Sequence, residues 1–415
     1  MKAVLLAAGE GKRLRPLTYT KPKCMLPIAG KPILEHVLIS LREAGLRHVV
    51  MVVKYKQDKI TNYFGDGSKF GMRLEYVTQG NRYGTAAAFG SAEQLVNDDF
   101  LGMAGDVICD AADIKALVEA HRRNDGLMTV GLKEVEVKEQ YGIAEVKDGM
   151  ITGFAEKPKQ SKSKLANSSI YAFDKKTFDE IRKIRPSSRG EYEITDLIKS
   201  GRARAYEMKG YWLDMGVPWQ LLDANRYLLD KMPEKREGKV ENCTVKGKLM
   251  VEKGTRLFDS YIQGPAYIGA DSTVGPHAYI REGTSIGKGC DISDSSTVKN
   301  SILMDGVNAK HLTYIGDSIV GDRVNFGAGT QVANYRFDAG TIKSLIRGNM
   351  IDTGKRKLGV IIGDDTKTGV LSCVMPGKKI GSNCWIGAGV VVDEDVPDET
   401  ALFVEQKLKK ISRRK

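Results

Sequence analysis

The chain has 415 residues, 41% apolar and 28% charged, with a formal net charge of +12 and a pI near 9.2. That length exceeds what one hydrophobic core ordinarily serves, so two domains are expected. The composition excludes a disordered chain, no run of 18 apolar residues offers a membrane span, and the positive balance points to anionic partners.

Phosphorylated small molecules explain that charge more simply than nucleic acid, because no finger, helix-turn-helix or aromatic-rich basic sheet motif accompanies it. The six cysteines, at 24, 109, 243, 290, 373 and 384, lack Cys-x2-Cys spacing, so reduced buried thiols are expected rather than disulfides or a zinc site. Residues 3–8 superficially resemble the apolar part of a signal peptide. The charged GEGKRLR that follows is no small-residue cleavage site, and the cytoplasm is the expected compartment.

In chain order, Val4–Ala8 reads as a buried strand that runs into the turn Gly9-Glu10-Gly11. Glycine tolerates positive φ and lets backbone N–H groups approach an anion closely. Arg13, Arg15, Lys21 and Lys23 follow at short range, enough cation to neutralise several phosphate oxygens of a nucleoside triphosphate. A dinucleotide fold would want a third glycine where Leu14 stands, and the Walker pattern is absent. Further strands are expected at Val49–Val53, Leu74–Val77, Phe100–Met103 and Met128–Leu132, with helices at Pro32–Ala44, Ala111–Asn124 and Lys175–Lys183. Such alternation predicts an α/β, Rossmann-like domain, a mostly parallel sheet with helices on both faces, over residues 1–228.

Leu221–Leu229 reads as a helix, and a charged linker, 229–242, follows. Beyond it the period becomes six. Ile262, Ile268, Val274, Ile280, Ile286, Ile292 and Val298 are evenly spaced. Tyr314, Val320, Phe326 and Val332 keep the step, and Ile362, Thr368, Val374, Ile380, Ile386 and Val392 resume it. Period six fits neither a helix nor a hairpin meander. It predicts a parallel β-helix over 243–400, with three hexapeptides per triangular coil and one aliphatic pointing inward per strand. The charged segment 337–358 interrupts the ladder and is expected to project from one face and line a site. A basic tail, 401–415, ends the chain.

The run LAAGEGKRLRPLT with Pro22-Lys23 resembles the signature of sugar-1-phosphate nucleotidylyltransferases. QGNRYGTAAAF, Ala104-Gly105-Asp106, Tyr141-Gly142, Glu156-Lys157-Pro158, Asn167 and GYWLDMGVPW match further motifs of that family in order. The resemblance implies that Ala8, Gly9, Gly11, Gln79, Gly84 and Thr85 bind the nucleotide, and that Gly142, Glu156, Lys157 and Asn167 bind the sugar phosphate. It implies catalytic Arg13 and Lys23, and Mg²⁺ on Asp106 and Asp214. The family often has Asn-x-Gly where this chain has Asn167-Ser168-Ser169.

The second half resembles the acetyltransferase part of bifunctional N-acetylglucosamine-1-phosphate uridylyltransferase/glucosamine-1-phosphate acetyltransferases of archaeal type, and hexapeptide acyltransferases in general, whose coil is left-handed. The resemblance implies that His311 is a catalytic base and that Arg281, Lys299 and Tyr314 grip a sugar phosphate. Asn325, Asn334 and Tyr335 would orient the acceptor, and Ala328 and Ala388 would line a pantetheine groove. Where the bacterial form has a lysine, this chain has Gly340, with Lys343 the nearest substitute. The implied cosubstrates are acetyl-CoA and UTP or dTTP, and the implied assembly is a homotrimer acting on small molecules, with neither nucleic acid nor membrane. The basic end KLKKISRRK reads as a solvated terminus, with contact to a CoA phosphate left open as the alternative. A glucose-1-phosphate thymidylyl- or uridylyltransferase with a weak or galactosamine-directed acetyltransferase, and a non-catalytic scaffold, stay open as alternatives.

Overall fold

The computed structural model describes residues 1–123 and 126–411; the expected helix end at Asn124 and the last four residues of the basic tail lie outside the described residues. The molecule comprises two compact units. Residues 1–11, 21–26 and 31–215 form the first, and residues 12–20, 27–30 and 216–415 form the second.

In the first unit the expected apolar runs pair in parallel. Lys2–Ala7 lies between His48–Val53 and Phe100–Ala104, and Arg73–Thr78 flanks His48–Val53. The nearly unbroken apolar character of the three inner strands suits cover on both faces, whereas the outer strand Arg73–Thr78 carries polar residues and is less buried. Helix Ile33–Glu43 buries Ile33, Leu34, Val37, Leu38 and Leu41, the stripe that a 3.6-residue period places on one side. Helix Ala111–Arg122 buries Ile114, Leu117 and Val118 in the same way. The expected helix at Lys175–Lys183 shortens to Thr177–Ile181.

Leu165–Phe173 is the sheet's unexpected member, antiparallel to Phe100–Ala104 and to Met128–Glu134. Beyond it come Ala203–Glu207, parallel to Met128–Glu134, and the hairpin Gly142–Lys147/Met150–Glu156. The polar Asn167-Ser168-Ser169 hides the reversed strand from periodicity. There the register breaks between Asn167 and Tyr171, and Ser169 takes φ +61°. That left-handed conformation costs a side-chain-bearing residue about 1–2 kcal/mol, which accounts for glycine at this place in the family pattern.

The second unit is built on three parallel sheets whose strands are two or three residues long along most of the coil. Pairings such as Ile262↔Ile280 and Ile280↔Val298 give 18-residue coils, as the period-six ladder requires. Later pairings, Ile286↔Leu303, Val298↔Ile315 and Leu303↔Val320, step by 17. The shorter step corrects one expectation. Ile315, not Tyr314, fills the inward column and is fully buried, so Tyr314 is displaced to the outer side.

Every other aliphatic of the ladder from Ile262 to Val392 lies in one continuous core. Burying each such side chain contributes about 1.5–3 kcal/mol. The interruption after Val332 closes by Val320↔Ile362, and inside it Lys343–Ile346 and Asn349–Asp352 form a hairpin. Helix Trp219–Lys231 groups with this unit although the sequence places most of it in the first domain. Its Asn225 donates to the Gly283 carbonyl at 2.8 Å and accepts from the Ser285 hydroxyl at 2.6 Å, and Leu229 packs with Met250 and Tyr267.

Ile286→Ala, in the middle of the column, is expected to destabilise the coil by about 2–5 kcal/mol. Urea unfolding followed by circular dichroism measures this, and a loss under about 1 kcal/mol would show that the column does not carry the coil.

Candidate functional site

In the first unit the strand Lys2–Ala7 delivers Ala8 and the glycine turn. Gly11 has φ +77°, and a Cβ there would stand 2.6 Å from the Lys23 Cβ, so only glycine allows this bend and this lysine together. A Cβ on Gly9 would meet nothing within 4 Å, which leaves open space beside the turn.

Phe100–Ala104 ends just before Asp106. The ribbon Val107–Cys109 pairs antiparallel with Trp212–Asp214, with Asp214 opposite Val107. Two residues distant in sequence thus converge on Lys23, whose ammonium pairs with Asp106 and lies 3.8 Å from Asp214 Oδ1. Lys23 and Asp106 are largely shielded and Asp214 partly so, and the cation relieves repulsion between the carboxylates. Burial, with Asp106 nearby, pushes the adjacent Cys24 thiol up to about 12 and keeps it neutral. No group of three or more metal-binding side chains occurs among the described residues. Two carboxylates converging on one lysine nevertheless fit Mg²⁺, which takes one or two carboxylates and completes its shell with other oxygens and water.

Gln79 is buried, and its side-chain amide donates to the Arg82 carbonyl at 3.0 Å. The Thr85 hydroxyl accepts from the Ile194 N–H at 2.9 Å, while a Cβ on Gly84 would strike the Tyr192 carbonyl. Both residues therefore dock this loop on the segment around Tyr192. Gly142 sits opposite Glu156 across its hairpin, and a Cβ there would fall 2.8 Å from Glu156 Oε2. Lys157 is exposed, with its N–H bonded to the Tyr141 carbonyl. Asn167 donates to the Tyr171 hydroxyl at 2.9 Å. Burial, reinforced by Glu156 and Asp214, pushes that phenol up to about 12, so it stays protonated.

In the second unit Arg13 lies exposed in the turn Lys12–Leu14, its guanidinium 3.8 Å from where a Gly216 Cβ would stand.

The coil gathers Arg281, Lys299, Tyr314, Asn334 and Tyr335 around one depression of about 400 Å³, together with Lys357. Beneath it is a column that the 17-residue step creates from Asn300, Asp317 and Asn334. Asp317 is buried and accepts from Asn300 at 2.7 Å and from Asn334 at 2.5 Å; Lys299 lies 3.5 Å away. Asn334 also reaches the Tyr314 hydroxyl at 3.3 Å. His311 lies outside this depression, exposed, with Nδ1 2.6 Å from Asp294 Oδ2, one coil earlier. Asn325 and Ala388 are exposed and Ala328 half-exposed. The bonds Leu371 N–H to Ala328 and Gly389 N–H to Val370 set both alanines in one corner column.

Sequence motifs missed Asp294, Asp317 and Lys357. The first two carry a signal that was available: each sits 17 or 18 residues from a residue it holds, one coil of the repeat. Lys343, the expected substitute for the bacterial lysine, lies in the exposed hairpin and does not line the depression.

Asp317→Asn keeps the shape but offers one acceptor oxygen where two amides converge, and it strands the Lys299 ammonium. An unpaired buried donor costs about 1–3 kcal/mol. The thermal midpoint is expected to fall and the KM for a sugar-phosphate acceptor to rise; wild-type values of both would remove Asp317 from the site.

Comparison with known proteins agrees with this division. A nucleotidyl transferase family model matches residues 2–231, a GMPPB C-terminal domain model matches 262–370, and a succinyl-transferase hexapeptide repeat matches 359–394. The Bifunctional protein GlmU of Methanocaldococcus jannaschii is 41% identical over 98% of both chains. A bifunctional sugar-1-phosphate nucleotidylyltransferase/acetyltransferase of Sulfurisphaera tokodaii is 37% identical, over 95% of this chain and 98% of its own. A Bacillus anthracis crystal structure, named for glucose-1-phosphate thymidylyl transfer and holding sucrose, is 33% identical with TM-score 0.52. It covers 57% of this chain and 98% of its own. The three-sheet prism is consistent with a left-handed parallel β-helix of hexapeptide repeats. With a matched nucleotidyl transferase domain, hexapeptide repeats and a relative this similar from end to end, the chain belongs to the GlmU family of bifunctional proteins.

Proposed function

We propose that the chain is a two-site enzyme of amino-sugar activation. The coil acetylates glucosamine 1-phosphate from acetyl-CoA, and the α/β unit transfers uridylyl from UTP to N-acetylglucosamine 1-phosphate, releasing pyrophosphate. The observation that carries the nucleotidyl half is the convergence of Lys23, Asp106 and Asp214 beside the Gly9–Gly11 turn.

The reaction joins two anions, so its barrier is repulsion and the charge gathering on the leaving group. A sugar-phosphate oxygen attacks the α-phosphorus in line, forming one P–O bond as the bond to pyrophosphate breaks. The attacking phosphate is already ionised and needs no general base. Lys23 is assigned to the α-phosphate region, and Arg13 to the triphosphate and the departing pyrophosphate. Asp106 and Asp214 would hold Mg²⁺, whose charge offsets that of the phosphate oxygens. Glu156 and Asn167 are assigned to sugar hydroxyls, Lys157 to the sugar phosphate, and Gln79 to the base.

In the coil, Nδ1 of His311 faces Asp294, which leaves Nε2 free to accept a proton. His311 takes that proton from the 2-amino group as nitrogen attacks the thioester carbon. The C–N bond forms, the C–S bond breaks, and the proton is returned to the CoA sulfur. Ala328 and Ala388 present small side chains to the pantetheine, and Asn325 serves the acceptor. A homotrimer, with closed cyclic symmetry, would bring neighbouring coils to His311 and the depression. Among the described residues no helix is long and apolar enough to cross a membrane, in keeping with a cytoplasmic enzyme working on small molecules.

The test measures pyrophosphate release and acetyl-CoA consumption separately, with UTP and dTTP and with both amino-sugar phosphates. His311→Ala should lower acetyl transfer by about 10²–10⁴-fold and leave nucleotidyl transfer intact. Asp106→Asn, or EDTA, should do the reverse. If each change depressed both activities equally, the two-site assignment would fail.

A further inference from the structure

We propose that Asp364 and Asn225, both in the second unit, are positioning residues for nucleotidyl transfer, because they pin the two flanks of the short segment that carries Lys23; this rests on the nucleotidyl transfer proposed above. Residues 12–20 and 27–30 belong to the second unit, and residues 21–26 between them belong to the first. A stretch this short, held at both ends, has little freedom of its own. The contacts that hold its flanks all lie inside the second unit.

On the leading flank, the Thr20 hydroxyl donates to Asp364 Oδ2 at 2.6 Å. Oδ1 of the same carboxylate accepts the Asp322 N–H at 2.8 Å. Asp364 is buried just past the strand Ile361–Ile362, with which the coil resumes. Asp322 and Asp305 cap this corner in the same way, accepting the N–H groups of Asp305 and Lys288. The cap is therefore part of the repeat, and the bond to Thr20 is an addition to it. A hydroxyl bonded to a carboxylate is held more tightly than one bonded to a neutral acceptor. The tether also acts on a compact segment: Leu14, Leu17 and Thr18 are buried, and the Leu17 and Tyr19 N–H groups close turns onto Leu14 and Pro16. Arg15 lies 4.6 Å over the Tyr19 ring, beside the tethered residue, and Arg13 is on the same segment.

On the trailing flank, Ala29 is fully buried and donates its N–H to Asn225 Oδ1 at 2.7 Å. Asn225 is itself fully buried and tied to Gly283 and Ser285 of the coil. Ala29 packs with Leu229, Met250 and Tyr267, and a Cβ on Gly30 would strike the Tyr267 ring. Between the two anchors, Lys23–Met25 makes a single tight turn, with the Met25 N–H on the Pro22 carbonyl and the Leu26 N–H on that of Lys23. The Lys23 backbone is thus short of slack on both sides. Catalysis by fixed cations depends on where the charge sits, so loosening an anchor costs rate even though neither anchor touches a substrate.

The experiment measures both activities of full-length wild type, Thr20→Val, Thr20→Ser, Asp364→Ala, the Thr20→Val/Asp364→Ala double variant and Asn225→Ala. Thr20→Val keeps the shape and removes the hydroxyl. Its kcat for uridylyl transfer should fall about tenfold or more, with a smaller change in the KM for UTP, because the cations act on charge that develops as pyrophosphate leaves. Thr20→Ser should recover most of the rate. The double variant should be no slower than Asp364→Ala, since the two residues share one bond. Asn225→Ala should slow uridylyl transfer likewise, and acetyl transfer should hold in every variant. A wild-type kcat in Thr20→Val, even with a lowered melting temperature, would reduce the tether to a structural weld and overturn the proposal. So would additive losses in the double variant, and an equal loss of both activities in Asn225→Ala would remove Asn225 from the role. Wild-type turnover with neither UTP nor dTTP on any sugar 1-phosphate would instead overturn the nucleotidyl-transfer function, and this positioning role with it.

Discussion

Along most of the coil a residue rests on the one 17 or 18 places earlier, and that stacking converts a distance along the chain into a contact. Backbone ladders and the inward aliphatic column hold the step rigidly, because a slip by one residue would turn every buried side chain outward. Polar groups outside the column inherit the same precision. Asn300, Asp317 and Asn334 form a hydrogen-bonded column for this reason, as do Asp294 and His311. The loss of one residue per coil near Val298 is part of the device: it keeps Ile315 inside and turns Tyr314 toward Asn334. Arg281, Lys299, Tyr314 and Asn334 are positioned this way without a long loop; Lys357 alone comes from the interruption.

The first unit solves a different problem with a different frame. There the reactive groups sit at strand ends and on a short ribbon, and three of them come from residues 23, 106 and 214. Lysine between two carboxylates is stable only while the cation stays shielded and close. Gly11 permits that closeness, since any side chain there would collide with Lys23. The bend therefore serves the ion cluster.

The two units share one electrostatic theme. Each brings a lysine against a buried or half-buried carboxylate. In the first unit the carboxylates keep part of their surface exposed; in the second the carboxylate, Asp317, is buried. The same residue types thus act as candidate metal ligands in one place and as fixed scaffold in the other. Burial distinguishes those roles, since each Asp317 oxygen is already held by a protein amide and the carboxylate is closed to solvent.

Much of this was open to reading from residues alone. Alternating apolar runs gave away the parallel strands, because strands buried on both faces must be apolar throughout. Period six disclosed the coil and its inward aliphatics, and the ordered motifs carried Lys23, Asp106, Asp214, Arg281, Lys299 and Asn334. Tertiary structure alone decided what depends on long-range pairing. The antiparallel strand through Asn167-Ser168-Ser169 has no periodicity of its own and exists because neighbours on both sides hydrogen-bond it. The placement of Tyr314 turned on a 17-residue step that a strict period of six conceals. Lys357 was invisible because its segment is charged and irregular, and only the bridge to Tyr335 reveals which lysine of the interruption faces the depression. Local propensity and periodicity report on a residue and its near neighbours; which distant side chain ends beside it is settled by packing.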